Sequence, residues 1–249
     1  MDLSRNRIVA ARFAKAAHTY ERNADLQACV AARLAELLPA LDRPRVLEIG
    51  CGTGFMTRHL LERYAHGDFL ITDLAPEMVE TCRARYESKN GRSLRFHTMD
   101  GEAPDCEGAF DLIVLSMTLQ WFTDPRRALE NLTTLLRPGG HIVYAVPGRG
   151  SLAEWQAVLE SCDLPHGGLE MPDLPNVAHQ ESRAVRYESG IAFLQTLKGI
   201  GATTPRPGYT PLSPGHLRAA LQRFEKEHDA QATWRILYGK IPVQQGVQA

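Results

Sequence analysis

Apolar residues along this chain keep two rhythms. Near the N-terminus Phe13, Ala16, Ala17 and Tyr20 recur at helical spacing, and so do Leu26, Val30, Leu34, Leu37 and Leu41. This predicts two helices, ended by Pro39 and Pro44. From Arg45 strand and helix alternate. Short β-type runs stand at "RVLEI" (45–49), "DFLIT" (68–72), "LRFHT" (94–98), "FDLIVLS" (110–116) and "HIVYAV" (141–146). Helical spacing returns between them, at Met56, Leu60 and Tyr64, at Met78, Val79, Cys82 and Tyr86, and at Leu129, Leu132 and Leu136. Asp124 and Pro125 suit the cap and first position of the last helix, and "RPGG" (137–140) is expected to stop it. Alternating units of this kind predict an α/β fold with a parallel sheet covered by helices on both faces.

After Pro147 the alternation breaks. Residues 148–180 are rich in Pro and Gly and read as an irregular insertion with one helix around Leu152–Leu159. A strand at "RAVRYE" (183–188), a helix from Ile191 to about Lys198, a helix around Leu217–Glu227 and a closing strand "TWRILYGKI" (233–241) follow. The expected organisation is one domain: a helical cap (1–44), a ligand-binding core (45–147), a lid with late strand (148–230), and a final strand and tail (231–249).

Composition narrows the class. With 249 residues, 44% apolar and 23% charged, the chain fits one globular enzyme domain. A formal net charge of −1 supplies no global field toward nucleic acid or an anionic membrane. The five cysteines show no C-x-x-C pair and no zinc spacing, so they read as reduced thiols, with no metal expected. No apolar run approaches a membrane span, and "MDLSRNRIVAARFAKAAHTY" lacks a signal-peptide core. A cytoplasmic protein is expected.

The chemistry gathers at "RVLEIGCGTGF". Gly50, Gly52 and Gly54 follow the first core strand and open a helix, where backbone N–H groups can face a ligand. A dinucleotide fingerprint would space its glycines G-x-G-x-x-G around a pyrophosphate. Here the third glycine comes one residue early, and Glu48 at the lip of the loop would repel phosphate but suit an ammonium group. Strand two ends in Asp73, 19 residues past Gly54, where a carboxylate can accept from ribose hydroxyls. Asp100 and Glu102, in "MDGEAP" after strand three, can accept from an adenine amine. An amine, a ribose and an adenine without phosphate describe S-adenosylmethionine.

In "VLEIGCGTG", Asp73, "MDGEAP", "FDLIVLS" and "LLRPGGHIVYAV", ordered over residues 45–146, the chain resembles the class I S-adenosylmethionine-dependent methyltransferases. The resemblance implies a Rossmann-like, seven-stranded, mostly parallel sheet with helices on both faces, an N-terminal helical cap and a lid insertion. It also implies cofactor contacts from Phe13, Tyr20, Cys51, Leu74, Met78, Gly101 and Ser116, beside the residues named above.

Such a fold does not specify its acceptor. The N-terminal "ARFAKAAHTYERNADLQ", "SMTLQWFTDP" after strand four and "FLQTLKGIGATTP" look like those of the malonyl-[acyl-carrier protein] O-methyltransferases of early biotin synthesis. That family commonly has Asn where this chain has Met117. The resemblance implies methylation of the free carboxylate of a malonyl thioester on acyl carrier protein, or on coenzyme A. Tyr20, Gln120 and Lys198 are its candidate catalytic residues, with Phe13 and Tyr20 at i and i+7 on one helix face. Trp121 follows strand four, where the acceptor site lies. Arg5, Arg7, Arg12 and Lys15 are candidates for docking the acidic carrier. Two other readings stay open at this level. One is a class I methyltransferase of another small acid or quinone-type acceptor; the other is a non-catalytic S-adenosylmethionine-binding protein. A dinucleotide enzyme is disfavoured by the loop spacing and Glu48.

Overall fold

The computed structural model describes residues 25–87, 93–165, 174–199 and 209–243. The run "RVLEI" forms β1 (Arg45–Ile49), whose last four residues are buried. A strand apolar on both faces needs cover on both, which places it at the centre of a sheet. β2 (Asp68–Asp73) and β3 (Ser93–Thr98) add parallel strands on one side, and β4 (Phe110–Ser116) and β5 (Leu136–Pro147) on the other. β7 (Gln231–Pro242) then pairs antiparallel with β5, and β6 (Val177–Arg186) antiparallel with β7. The seven strands run in the order β3-β2-β1-β4-β5-β7-β6. The sheet thus grows one way through β3 and the other way from β4, leaving a crevice beyond the carboxyl ends of β1 and β4.

Helices cover both faces. α1 (Asp25–Ala35), α2 (Phe55–Arg63) and α3 (Pro76–Tyr86) share one apolar cluster with α5 (Ala153–Ser161), α6 (Gly190–Gly199) and α7 (Pro214–His228). That cluster rests on Val46, Leu112, Val143 and Ile236. The opposite face, with Leu47, Ile113, Leu115 and Ile142, is covered by Ala128, Leu129 and Leu132 of α4 (Pro125–Thr133). Alternate residues of one strand thus enter different cores, as pleating requires.

Local chemistry explains the helix starts. Asp124 Oδ1 accepts the Arg127 N–H at 3.0 Å with Pro125 at the first position of α4, and Ser213 Oγ accepts the His216 N–H at 3.2 Å before α7. Three boundaries differ from expectation. Leu136 opens β5 instead of closing α4, and "RPGG" lies within the strand. There the register slips, from Phe110 opposite Leu136 to Leu112 opposite His141, which absorbs the proline and glycines. β6 begins at Val177, six residues earlier than expected, because an exposed edge strand shows no apolar alternation and only its pairing with β7 defines it. The helix expected around Phe13–Tyr20 lies outside the described residues. Among the described residues no helix is long and apolar enough to cross a membrane, and no cluster of His, Cys, Asp and Glu is placed to hold a metal.

Candidate cofactor and acceptor site

The loop after β1 turns sharply because its glycines adopt φ values of +75°, +53° and +94° at Gly50, Gly52 and Gly54. Gly50 and Cys51 both donate N–H to the Thr72 carbonyl at 2.9 Å, and Gly52 donates to Asp73 Oδ2 at 2.9 Å. Asp73 Oδ1 accepts the Ala75 N–H, also at 2.9 Å. The end of β2 therefore holds the loop in shape. Burial raises the Asp73 pKa, and the backbone N–H groups of Ala75, Gly52 and Leu74 pull it back.

A cavity opens beyond these strand ends. Of the residues the sequence singled out, Gly50, Gly52, Asp73, Leu74, Asp100, Gly101, Glu102 and Ser116 line it together. Its carboxylates are pinned by backbone: Asp100 Oδ1 accepts the Glu102 N–H at 2.9 Å, and Glu102 Oε1 accepts the N–H of Thr123 at 2.8 Å and of Asp124 at 3.1 Å. The last pair ties the loop after β3 to the start of α4. Gly101 has no room for a side chain, since a Cβ there would lie 2.4 Å from Ile49 Cγ2.

Six predicted residues lie outside the lining. Glu48 is 1% exposed behind the loop, where Thr57 Oγ1 donates to its Oε2 at 2.7 Å. Its Oε1 is buried without a hydrogen-bond partner. Burial, aided by nearby Asp73, pushes its pKa up to about 8 against the pull of Thr57. Cys51 and Met78 are buried in the core; the Cys82 thiol and burial raise the Cys51 pKa well above the ordinary range. Gly54 serves packing: an added Cβ would meet Tyr86 Cε2 at 2.5 Å and Cys82 Sγ at 3.1 Å. Gln120, in a single 3-10 turn (Leu119–Trp121), donates Nε2 to the Met117 carbonyl at 2.8 Å and buries Oε1 without a partner. Lys198 is exposed in the last turn of α6, also outside the lining. Phe13 and Tyr20 lie outside the described residues.

The turn after β4 supplies the rest of the wall. Met117, at φ +56°, and Trp121 line the cavity, as do Ile49, Met99, Thr118 and Phe122, which the sequence had not singled out. Thr118 Oγ1 donates toward the Ile49 and Ser116 carbonyls at 3.2 and 3.1 Å, and a Cβ on Gly50 would fall 2.3 Å from that oxygen. The signal for Thr118 was its place just past a strand end at the switch point; its residue type gave none. Among the described residues the lining contains acids but no Lys, Arg or His.

Comparison with known proteins follows the same lines. A family described as "Methyltransferase domain" matches residues 47–142. The biotin biosynthesis bifunctional protein BioCD of Bordetella avium is 39% identical, over 97% of this chain; the chain spans about half, 54%, of that protein's length. The malonyl-[acyl-carrier protein] O-methyltransferase of Magnetococcus marinus is 37% identical, with 95% of this chain and 92% of that protein covered. Among solved structures, the YcgJ protein of Bacillus subtilis superposes with a TM-score of 0.58 at 14% identity, covering 87% of this chain and 99% of that one.

Proposed function

The chain belongs to the malonyl-[acyl-carrier protein] O-methyltransferase family, and we propose that it methylates the free carboxylate of a malonyl thioester. The methyl donor in this reading is S-adenosylmethionine, the thioester is carried by acyl carrier protein, and the product enters biotin synthesis. The observation that carries it is the lining: Asp73, Asp100 and Glu102 stand around a glycine loop with no basic side chain among the described lining residues. A pyrophosphate would meet repulsion there, whereas a ligand bearing a sulfonium and an ammonium meets opposite charge. The donor set therefore fits this cofactor. Bound, it supplies a methyl group activated by positive sulfur.

Roles follow for the chain's own residues. Asp73 accepts from the ribose hydroxyls, Asp100 and Glu102 face the adenine side, and the backbone of Gly50 and Gly52 lets the amino-acid end approach. Leu74, Met99 and Phe122 supply the apolar surface beside the base. Glu48, Cys51, Gly54 and Met78 act from behind, by holding the loop. On the β4 side Ser116, Met117, Thr118 and Trp121 present no group able to remove a proton, and the Thr118 hydroxyl is engaged with backbone carbonyls. An acceptor that arrives already ionised needs no base from these described residues. A carboxylate, of pKa about 4, arrives so at neutral pH, unlike an alcohol or amine. The protein then has only to orient the oxygen in line with the methyl and keep water away; orientation alone can supply about 7–11 kcal/mol. Gln120 holds the Met117 turn, while Tyr20 and Lys198 remain candidates for meeting the acceptor carboxylate.

In this reading the chain is one catalytic unit, with residues 1–44 as cap, 45–147 as cofactor-binding core, 148–230 as lid and late strand, and 231–249 as final strand and tail. The test is transfer of labelled methyl to malonyl-carrier protein, compared with malonyl-coenzyme A and free malonate. Transfer to the thioesters is expected. Labelling of free malonate alone, or no labelling with a nicotinamide dinucleotide bound instead, would overturn the assignment.

A further inference from the structure

The carboxyl edge of the sheet carries both acids and arginines. On the β1–β2–β3 side stand the acids of the cavity, Asp73, Asp100 and Glu102. On the β5–β7 side stand four arginines, all exposed: Arg126, Arg127, Arg149 and Arg235. Arg126 and Arg127 occupy the first turn of α4, just after Trp121 and Phe122 on the cavity wall. Arg149 follows the end of β5, whose Ala145 pairs with Ser116 at the end of β4. Arg235 lies one residue beyond the Ile236–Pro147 pair. By strand alternation it shares the face of Leu237, which packs against the same cluster as α4. Its Nη1 lies 3.2 Å from the position a Cβ on Gly150 would take, beside Arg149.

Two features leave these arginines available to an incoming anion. Arg126 and Arg127 stand in the first turn at the positive end of the helix dipole, which Asp124 and Glu102 offset in part through the backbone N–H groups they accept. The neighbouring Asp124 uses Oδ1 to cap the Arg127 backbone N–H. None of the four forms an ion pair with another described residue, whereas Arg95 pairs with Asp68, Arg137 with Asp111, Arg186 with Asp229 and Arg223 with Glu227. Exposed arginines with fork-shaped donors unspent match an acidic surface that presents carboxylates.

We propose that Arg126, Arg127, Arg149 and Arg235 form the docking surface for the acidic carrier protein, on the elements that follow β4 at the carboxyl edge of the sheet. This rests on the carrier-linked substrate named above, and it assigns docking to residues other than the N-terminal Arg5, Arg7, Arg12 and Lys15. The surface steers the carrier, so that its thioester arm enters over β4.

The test replaces all four arginines by Gln, with Arg126→Gln/Arg127→Gln and Arg149→Gln/Arg235→Gln as separate doubles in case the quadruple variant folds poorly. Binding of malonyl-carrier protein is read by fluorescence anisotropy across ionic strength. Methyl transfer is read as the ratio of kcat/KM for the carrier-linked substrate over malonyl-N-acetylcysteamine. Carrier binding weakened about tenfold or more in the quadruple variant, with a flatter salt dependence and a falling ratio, is the expected result. Binding and ratio both within about twofold of the parent overturn the docking surface. Arginine-dependent carrier binding without methyl transfer in the parent would sustain the surface and sink the proposed reaction. Transfer to both substrates at an unchanged ratio would do the reverse.

Discussion

Tyr144 on β5 stands directly over its register partner Gly239 on β7, where an added Cβ would lie 2.1 Å from the Tyr144 Cζ. A glycine in mid-strand weakens the strand by about 0.5–1 kcal/mol, so its presence marks a place where a ring has taken the space. The Tyr144 hydroxyl reaches on to the Pro175 carbonyl, which fixes the ring.

Gly239→Ala is therefore expected to destabilise the protein despite the better strand propensity of alanine, by about 1–3 kcal/mol from overpacking. In a Tyr144→Ala background the same change should become neutral or favourable. Chemical denaturation of the four members of the cycle measures this; additive effects would show that the ring is not the cause.

Glu48 gives the protein a pH-dependent stability. Its folded pKa of about 8 lies above the ordinary carboxylate value of 4.5, so between these values the folded state holds a proton that the unfolded state has lost. Stability is fully present below the lower value and falls as pH rises through the upper one, by at most about 1.4 kcal/mol per pH unit. Melting temperatures measured from pH 5 to 8 should decline in the parent and decline less in Glu48→Gln. Parallel curves would show that Glu48 ionises normally.

Asp73→Ala removes the acceptor of two backbone N–H groups, those of Gly52 and Ala75. Each buried donor left unpaired costs about 1–3 kcal/mol. A lower melting temperature is expected, together with at least about tenfold weaker binding of S-adenosylhomocysteine by calorimetry, since the proposed ribose acceptor is lost as well. Unchanged affinity would remove Asp73 from the site while leaving its loop-holding part intact.

Gly54→Ala tests the packing side of the loop. The left-handed backbone costs a non-glycine residue about 1–2 kcal/mol, and the contact with Tyr86 adds about 1–3 kcal/mol. The variant should unfold at clearly lower denaturant concentration. Gly50→Ala, with Thr118 at 2.3 Å on the cavity wall, should weaken cofactor binding as well as stability. Equal affinity losses in both variants would contradict the division between them.

Most of the fold was readable because buried parallel strands leave continuous apolar runs and the helices between them keep one apolar stripe. β1, β2 and β4 were bounded to within a residue for that reason. β6 was misplaced because its partner, and not its own polarity, makes it a strand. Of the cavity lining, Asp73, Asp100 and Glu102 were legible from their places at or just past strand ends. Glu48 and Gly54 were credited with facing the ligand, although strand alternation and a helix start turn them toward α2 and α3. The residue types of Thr118 and Phe122 carried no signal, since the turn at Met117 that aims them depends on a pairing with Ala145 made through space.

The order β5-β7-β6 means that, among the described residues, β6 is synthesised before the strand it pairs with. Until residues 231–242 leave the ribosome, β6 has no ladder to join, and β5 keeps an open edge flanked by Ile142, Tyr144 and Val146. Such an edge recruits foreign strands. Chaperone demand during translation therefore concentrates on the interval between the emergence of β5 and that of β7, and premature stop codons before Gln231 yield aggregation-prone fragments instead of smaller folded proteins.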